Sequence, residues 1–489
     1  VSPSSRLPDG FTVRLDARTR RLTTRAGRLA LLGGSPTRLL RLAPAAARHL
    51  DSAELTVADA TSAALAARLL DAGVAHPVPR LPGPNPSQVS VVVPVRDRVQ
   101  PLRRLLAALA ATAPGLAEVL VVDDGSVPPL RPDAENARVL RHVVSRGPSA
   151  ARNTGLAAAR TELVAFLDSD VVPTPGWLAT LLPHFADPNL ALAAPRIVGL
   201  PSRRPTALER YEGLRSSLDL GPRPAPVLPR SRVAYVPSAT LLVRRAALGA
   251  GFAPELRVAE DVDLVLRLRR DGWRMRYEPA ARVAHEHRAR GGQWWRRKAF
   301  YGTGAAPLAL RHPGAVPPAV LSPTMAAVVA LLLAQRRPAS VAAAALTASS
   351  WVRLRRSLPD VSHPSGLAAR LAAAGLFGAA SQAAGLLVRH WWPITAVAAV
   401  ASRRVRRAAL AAALADGLLD WLTHLPDQGE PGLDPVRYLL ARRLDDLGYG
   451  AGLWWGAARA RTLAPLLPII AWPGHSPNGR VRSSGFAAR

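Results

Sequence analysis

The sequence predicts an α/β protein in three parts: a small winged-helix-like module, a central α/β domain and an Ala-rich helical region. Three observations carry this. A Pro-rich stretch from Pro77 to Pro86 interrupts the chain. Apolar strand-like runs alternate with amphipathic helices from Val89 to His287, and beyond Gly291 the composition turns to Ala- and Leu-rich helices. At 489 residues the chain is long enough for several cores.

The leading module spans residues 8–76. Phe11 to Leu15 alternates apolar and polar residues as a half-buried strand does, and Arg21 to Thr24 is expected to return antiparallel to it. Leu39, Leu40, Leu42 and Ala43 sit at near-helical spacing, as do Ala64, Leu65, Leu69 and Leu70 ahead of Gly73. Few helices or strands cross so many prolines, so residues 77–87 read as a linker.

In the central domain, residues 88–300, strands are expected at Val89 to Val95, Glu118 to Val122, Ala137 to Val144 and Leu163 to Leu167. Helices fit between them at Leu102 to Thr112 and Pro148 to Arg160. This alternation predicts a doubly wound parallel sheet, whose ligands bind beyond the carboxyl ends of its strands.

The last part, residues 301–475, contains an uncharged stretch from Gly314 to Gln335. It approaches the ~20 residues a membrane span needs, but Pro317, Pro318 and Pro323 crowd its start, so a re-entrant or interfacial helix is equally open. Gly366 to Val388 and Trp392 to Leu419 are further apolar helices, bracketed by Arg and by Trp391-Trp392 and Trp454-Trp455, which suit an interface. Because alanine is nearly neutral for insertion, a soluble helical bundle fits as well.

Sixty-four basic against thirty-four acidic residues give a formal charge of +30, which favours anionic partners, although an Arg- and Ala-biased codon usage produces the same excess. The absence of cysteine excludes disulfides, thiol nucleophiles and thiolate metal sites. Val1 to Gly10 does not read as a secretory signal, so the expected location is the cytoplasm or its membrane face.

The chemistry lies in acids placed where the strands end. Asp123 and Asp124 follow Leu120 to Val122, and Asp168, Ser169 and Asp170 follow Val164 to Leu167. Paired acids are costly in a core and useful at a ligand-facing edge, where two carboxylates two residues apart can hold a hard cation and a ribose hydroxyl together. An isolated pair would be a solvated turn; the buried strands before these pairs argue otherwise. Pro94 ends the first strand ahead of Asp97, an acid placed to receive the base of a nucleotide, though an ordinary strand-to-helix turn has the same pattern. Gly147 and Pro148 open a helix with Arg152 and Asn153 one turn in, and its amino end can support an anion. Glu260 and Asp261 begin an amphipathic helix, as capping charges or as a carboxylate that takes a proton from an acceptor hydroxyl. His285 and His287 point to one face of a strand; His285 either packs structurally or completes a metal shell opposite Asp170.

Val91 to Pro94, Val121 to Ser126, Ala151 to Gly155, Leu167 to Asp170 and Glu260-Asp261 together resemble the motifs of the family 2 glycosyltransferases of the GT-A fold, in the family's order. The resemblance implies a nucleotide-diphospho-sugar donor, a divalent metal (Mg2+ or Mn2+) and inversion at the anomeric carbon. By the same resemblance Pro94, Asp97, Asp123, Asp124, Arg152, Asp168 and Ser169 bind the nucleotide sugar, with Asp168 on the ribose. Asp170 and His285 hold the metal, Asp261 is the catalytic base, and Glu260, Trp294 and Trp295 lie on the acceptor side. The family's usual Asn and the aromatic before it are Asp97 and Arg96 here, so contacts to the donor base differ.

The whole chain is also similar to the mycofactocin-system glycosyltransferases, which extend a sugar chain on a peptide-derived redox cofactor. Its leading module resembles the small peptide-recognition domains of ribosomal peptide maturation. This implies UDP-glucose as donor, the peptide-derived cofactor precursor as acceptor and a β-linked oligosaccharide as product. The expected place is the cytoplasmic face of the cell membrane, against an anionic surface, with a soluble cytoplasmic enzyme as the alternative. The rival reading is transfer to a lipid or cell-wall polysaccharide, the basic apolar tail handling the acceptor. A nucleic-acid-binding module built on Arg14, Arg18, Arg20 and Arg21 leaves the acids without a role, and nucleic acid is not an expected partner.

Overall fold

The computed structural model describes residues 5–472 apart from 25–26, 51, 132–136, 287–289, 359–363 and 426–431, so His287 lies outside the described residues. The chain forms two compact units, Val1–Ala289 and Arg290–Arg489.

The leading part of the first unit runs β1 (Thr12–Leu15), β2 (Arg20–Thr23), β3 (Leu29–Gly33), β4 (Arg38–Arg41), α1 (Pro44–Ala47), β5 (Glu54–Thr56), α2 (Ala60–Asp71) and β6 (Ala75–Val78). β1 lies between β5 and β6 in one antiparallel sheet, and β2, β3 and β4 make a second. The expected return of Arg21 to Thr24 onto β1 is therefore not made: later segments occupy both edges of β1. Leu39 and Leu40, expected in a helix, lie in β4, because Gly33 and Gly34 (φ 82°) turn the chain back into a hairpin. α2 forms where its periodicity puts it. Asp59 caps its first turn, accepting from the Ser62 N–H at 2.7 Å, and Leu65 and Leu69 pack with Val13, Leu31 and Leu55.

The central part continues as β7 (Val89–Val95), α3 (Val99–Thr112), β8 (Glu118–Asp124), β9 (Ala137–His142), α4 (Pro148–Ala158), β10 (Leu163–Leu167), β11 (Val171–Pro173) and α5 (Trp177–Leu181). Then come β12 (Leu190–Gly199), α6 (Ala207–Arg215), β13 (Ala225–Pro226), β14 (Thr240–Arg244), α7 (Glu260–Arg270) and β15 (Arg274–His285). They build a nine-stranded sheet in the order β11-β15-β12-β14-β10-β7-β8-β9, with β13 paired to β15. β10, β7, β8 and β9 are parallel. Helices cover both faces: Val91 and Val93 pack with Leu105 and Trp177, while Val92, Leu120 and Phe166 pack with Ala151 and Leu264. Burial on both sides is why these strands read as unbroken apolar runs.

The sheet departs from the predicted all-parallel arrangement in its second half, where β14 runs antiparallel to β10 and β12 and β11 runs antiparallel to β15. Because Leu167 pairs with Thr240, β14 starts at the edge where β10 ends. The leading part is packed onto this sheet. Arg274 pairs with Asp71 at 2.8 Å and Asp187 at 3.1 Å, and a Cβ on Gly83 would lie 2.3 Å from the Leu182 carbonyl oxygen.

The second unit holds α8 (Gly291–Thr303), α9 (Ala305–Arg311), α10 (Pro323–Leu333), α11 (Arg337–Ser357), α12 (Pro364–Gly385), α13 (Trp392–Ala401), α14 (Arg403–Thr423) and α15 (Pro435–Arg459). Two short strands, β16 (Val320–Leu321) and β17 (Ile469–Ile470), pair in parallel. The apolar run expected from Trp392 to Leu419 breaks at Ser402, whose side chain caps α14. α15 approaches α8 closely enough that a Cβ on Gly452 would meet the Ala299 carbonyl oxygen at 1.7 Å. Asp446 is buried among Arg389, Arg442 and Arg443 at 3.3, 2.9 and 3.2 Å, while Phe377, Val400 and Trp455 are 60%, 86% and 67% exposed. Pro364–His390 is the one described helix long and apolar enough to cross a membrane, and only 17% of its most apolar stretch is buried.

Candidate active site

The site is built on one edge of the nine-stranded sheet, from loops that leave β7, β8 and β10 and enter β14 and α7. Near the end of β7, Pro94 stands opposite Val122 of β8, and after the strand Asp97 takes a left-handed conformation (φ 55°), which Asn and Asp tolerate better than most residues. That turn ties two loops together. The Asp97 N–H donates to the Ser126 hydroxyl at 2.9 Å, and the Val127 N–H donates to the Asp97 carboxylate at 3.0 Å, leaving Asp97 half exposed at the edge.

Asp123 and Asp124, at the end of β8, are buried and engaged by protein groups. Asp123 accepts from the Ser126 N–H at 2.9 Å and the Leu130 N–H at 3.1 Å and pairs with Arg141. Asp124 accepts from His142 and Ser145, both at 2.7 Å, and from the backbone N–H groups of Arg146 and Gly147 at 2.8 and 2.9 Å. Burial opposes both charges, but these bonds outweigh it and hold both carboxyls below the usual range. Asp124 thus shapes the loop that leads into α4.

α4 starts at Pro148 after Gly147 (φ 90°) and places Arg152 in the interior. The Arg152 guanidinium donates to Asp168 at 2.7 Å and to Glu260 at 2.9 Å and lies over the Phe252 ring at 5.3 Å. It therefore joins the end of β10 to the start of α7. Burial raises the Asp168 carboxyl; Arg152 opposes this, and the charge of Asp170 adds to it. Ser169 is buried between the two acids.

α7 begins after Ala259, itself left-handed (φ 65°), so Glu260 and Asp261 occupy its first turn. Asp261 accepts from its neighbour's N–H, Val262, at 2.8 Å and from the Ser238 N–H at 3.2 Å. The Ser238 hydroxyl meets Glu260 at 3.2 Å. Burial and the adjacent Glu260 charge push the Asp261 carboxyl up to about 7, against the lowering effect of the two N–H bonds and Arg152.

Asp170 and His285 meet across the edge. β15 ends at His285, which pairs in register with Val171, and the Asp170 Oδ1 faces the His285 Nε2 at 3.5 Å. The other carboxylate oxygen, Oδ2, pairs with Arg98. A divalent cation fits this pair: carboxylate oxygen and imidazole nitrogen are suitable donors, and their separation exceeds a hydrogen bond while matching two ligands each about 2.1 Å from one ion. Among the described residues no group of three or more His, Cys, Asp or Glu is placed to hold a metal ion.

The structure thus brings Asp97, Asp123, Asp124, Arg152, Asp168, Ser169, Asp170, Glu260, Asp261 and His285 to one edge. Trp294 and Trp295 belong to the second unit: Trp294 is buried with Lys298 over its ring, and Trp295 packs over Gly448 of α15. Sequence reasoning missed Ser238 and Arg98. Ser238 precedes a strand whose antiparallel direction alone brings it to this edge, so no local signal marks it. Arg98 was visible next to Asp97 but nothing local ties it to Asp170.

Residues 90–247 match the family described as Glycosyl transferase family 2. Over 483 residues the chain is 50% identical to the pre-mycofactocin glycosyltransferase of Mycobacterium tuberculosis, in strains CDC 1551 / Oshkosh and ATCC 25618 / H37Rv, across 96% of this chain and 99% of that protein. Similar solved structures include a mannosyltransferase, PcManGT, from Pyrobaculum calidifontis in complex with GDP-Man and Mn2+ (19% identity, 76% of this chain, 89% of that chain, TM-score 0.35). Another is GalNAc-T7 with UDP, GalNAc and Mn2+ (17% identity, 45% of this chain, 52% of that chain, TM-score 0.33). With half its residues shared over nearly its whole length, the chain belongs to the pre-mycofactocin glycosyltransferases, nucleotide-sugar-dependent enzymes of glycosyltransferase family 2.

Proposed function

We propose that this glycosyltransferase is an inverting enzyme that moves glucose from UDP-glucose to a hydroxyl of the peptide-derived mycofactocin precursor, with Asp261 as general base. The observation that carries this reading is the Asp261 carboxyl itself: part-buried in the first turn of α7, accepting among the described residues only from the Val262 and Ser238 N–H groups and raised to about 7, it is poised to hold or release a proton near neutrality. The acceptor oxygen attacks the anomeric carbon, its proton passes to Asp261, the bond to the diphosphate breaks and UDP leaves. Attack opposite the leaving group turns an α-linked donor into a β-linked product, and repetition builds an oligosaccharide.

Asp97, half exposed at the edge beside Pro94, is placed for the nucleotide base, and Asp168 for the ribose. Asp123, Asp124, Ser169 and Arg152 hold the surrounding loops in the shape that receives the donor. Asp170 and His285 would hold Mg2+ or Mn2+, which when bound neutralises the diphosphate. Glu260 pairs with Arg152 and is assigned to the acceptor side. The exposed apolar side chains of the second unit, interspersed with Arg403, Arg404, Arg406 and Arg407, support a place on the anionic cytoplasmic face of the membrane.

Whole-length identity to the mycobacterial relative supports the acceptor. Purified enzyme supplied with UDP-[14C]glucose and either the cofactor precursor or a lipid extract tests it: label is expected in the precursor, and label in the lipid alone overturns the assignment.

A further inference from the structure

Arg98 caps α3, directly after the left-handed Asp97, and its side chain is 39% exposed. From there it crosses to the end of β10 and pairs with the Oδ2 of Asp170, whose Oδ1 faces His285. One carboxylate thus presents one oxygen to the position of the cation and the other to a guanidinium. Its neighbour Asp168 already has Arg152, so Arg98 is what balances the charge of Asp170.

A divalent cation on Oδ1 repels a guanidinium on Oδ2, and the repulsion is strongest where the carboxylate is shielded from water, as Asp170 largely is. The partner that can leave is Arg98. It is partly solvated, sits on a long stem, and its planar fork suits a phosphate as well as a carboxylate. Its cap position also lies on the edge where the diphosphate must arrive to share a cation with Asp170.

We propose that Arg98 is an exchangeable counter-ion: it neutralises Asp170 in the free enzyme, and when a divalent cation takes Asp170 it transfers to the diphosphate of the donor. This rests on Asp170 being a metal ligand. It makes Arg98 a competitor of the metal alone and a partner of the metal with nucleotide, two effects of opposite sign.

The test measures Mn2+ binding by electron paramagnetic resonance without nucleotide, and UDP binding by calorimetry at saturating Mn2+. Arg98→Ala is expected to bind Mn2+ alone about three- to tenfold more tightly and UDP about tenfold more weakly than the wild type. Arg98→Gln, which keeps most of the stem, is expected to follow it. Variants that bind Mn2+ no more tightly, or UDP as tightly, as the wild type overturn the exchange. Asp170→Asn separates the two claims. If it keeps wild-type Mn2+ affinity, Asp170 is not a ligand and the metal reading fails; if it loses Mn2+ while Arg98→Ala gains none, only the exchange fails.

Discussion

The two units bury charge for different ends. In the first, beside cohesive pairs such as Arg276–Glu278, a set of charges lies at one sheet edge, where Arg152 links Asp168 to Glu260 and Asp261 is held by backbone N–H groups with its carboxyl raised to about 7. In the second, Asp416, Asp420 and Asp446 are matched to Arg389, Arg442 and Arg443 between helices, and large apolar side chains lie outside. Asp446, although beside Asp445, has three guanidiniums within 3.3 Å and ties helices together, whereas Asp261 accepts, among the described residues, only from backbone N–H groups and holds a proton more tightly than a free carboxyl, up to about neutral pH. The contrast separates reactive charge from cohesive charge.

The sharpest way to break this contrast is Asp261→Asn. Turnover is expected to fall by about 10²–10⁴-fold while UDP binding is kept, and wild-type kcat/KM is expected to climb with pH and level off above about 7, since the base must be unprotonated. Near-normal turnover of the variant would place the reactive charge elsewhere. Next in size, Arg442→Met leaves Asp446 and Asp420 short of a partner and is expected to cost about 3–5 kcal/mol in denaturant unfolding. Arg152→Met should cost a similar amount and lose UDP affinity as well, because the Arg152 guanidinium bridges Asp168 after β10 to Glu260 of α7.

A smaller effect tests the raised carboxyl by stability. Asp261 titrates at about 7 when folded and near 3.8 when unfolded, so the folded state binds the extra proton and the wild type loses stability as pH rises through this window. Asp261→Asn does not ionise and is expected to melt higher than the wild type at about pH 8, the difference closing below about pH 4. A gap independent of pH would remove the electrostatic explanation. Smallest of all, Val397→Ser with Val400→Ser, both strongly exposed, should change stability by less than about 0.5 kcal/mol yet reduce co-flotation with anionic vesicles. Undiminished flotation would leave the apolar exterior of the second unit without a membrane role.

Much of the site is legible along the chain because β7, β8 and β10 are each a buried apolar run that stops in polar residues, and a parallel arrangement brings those stops to one edge. Asp97, Asp123, Asp168 and Asp170 are found that way, and Glu260-Asp261 by family motif. Their division of labour is not legible. Asp123 and Asp124 are adjacent and look alike, yet one binds the turn after β8 while the other orders the approach to α4. Leu39 and Leu40 illustrate the reverse case, a helical spacing overruled by the turn at Gly34.

Local composition suffices to mark the apolar strands of the central sheet, the acids at their ends and the Ala-rich helices beyond, because strands buried on both faces read as unbroken apolar runs that stop where the chain meets solvent. Pairing between distant segments was settled only on folding. The antiparallel entry of β14 carries Ser238 to Glu260 and Asp261, the end of β15 sets His285 against Asp170, and Arg98 reaches the same carboxylate. Such contacts depend on which chain edges remain unfilled and on matching buried charges across dozens of residues, information that no short window of the sequence contains.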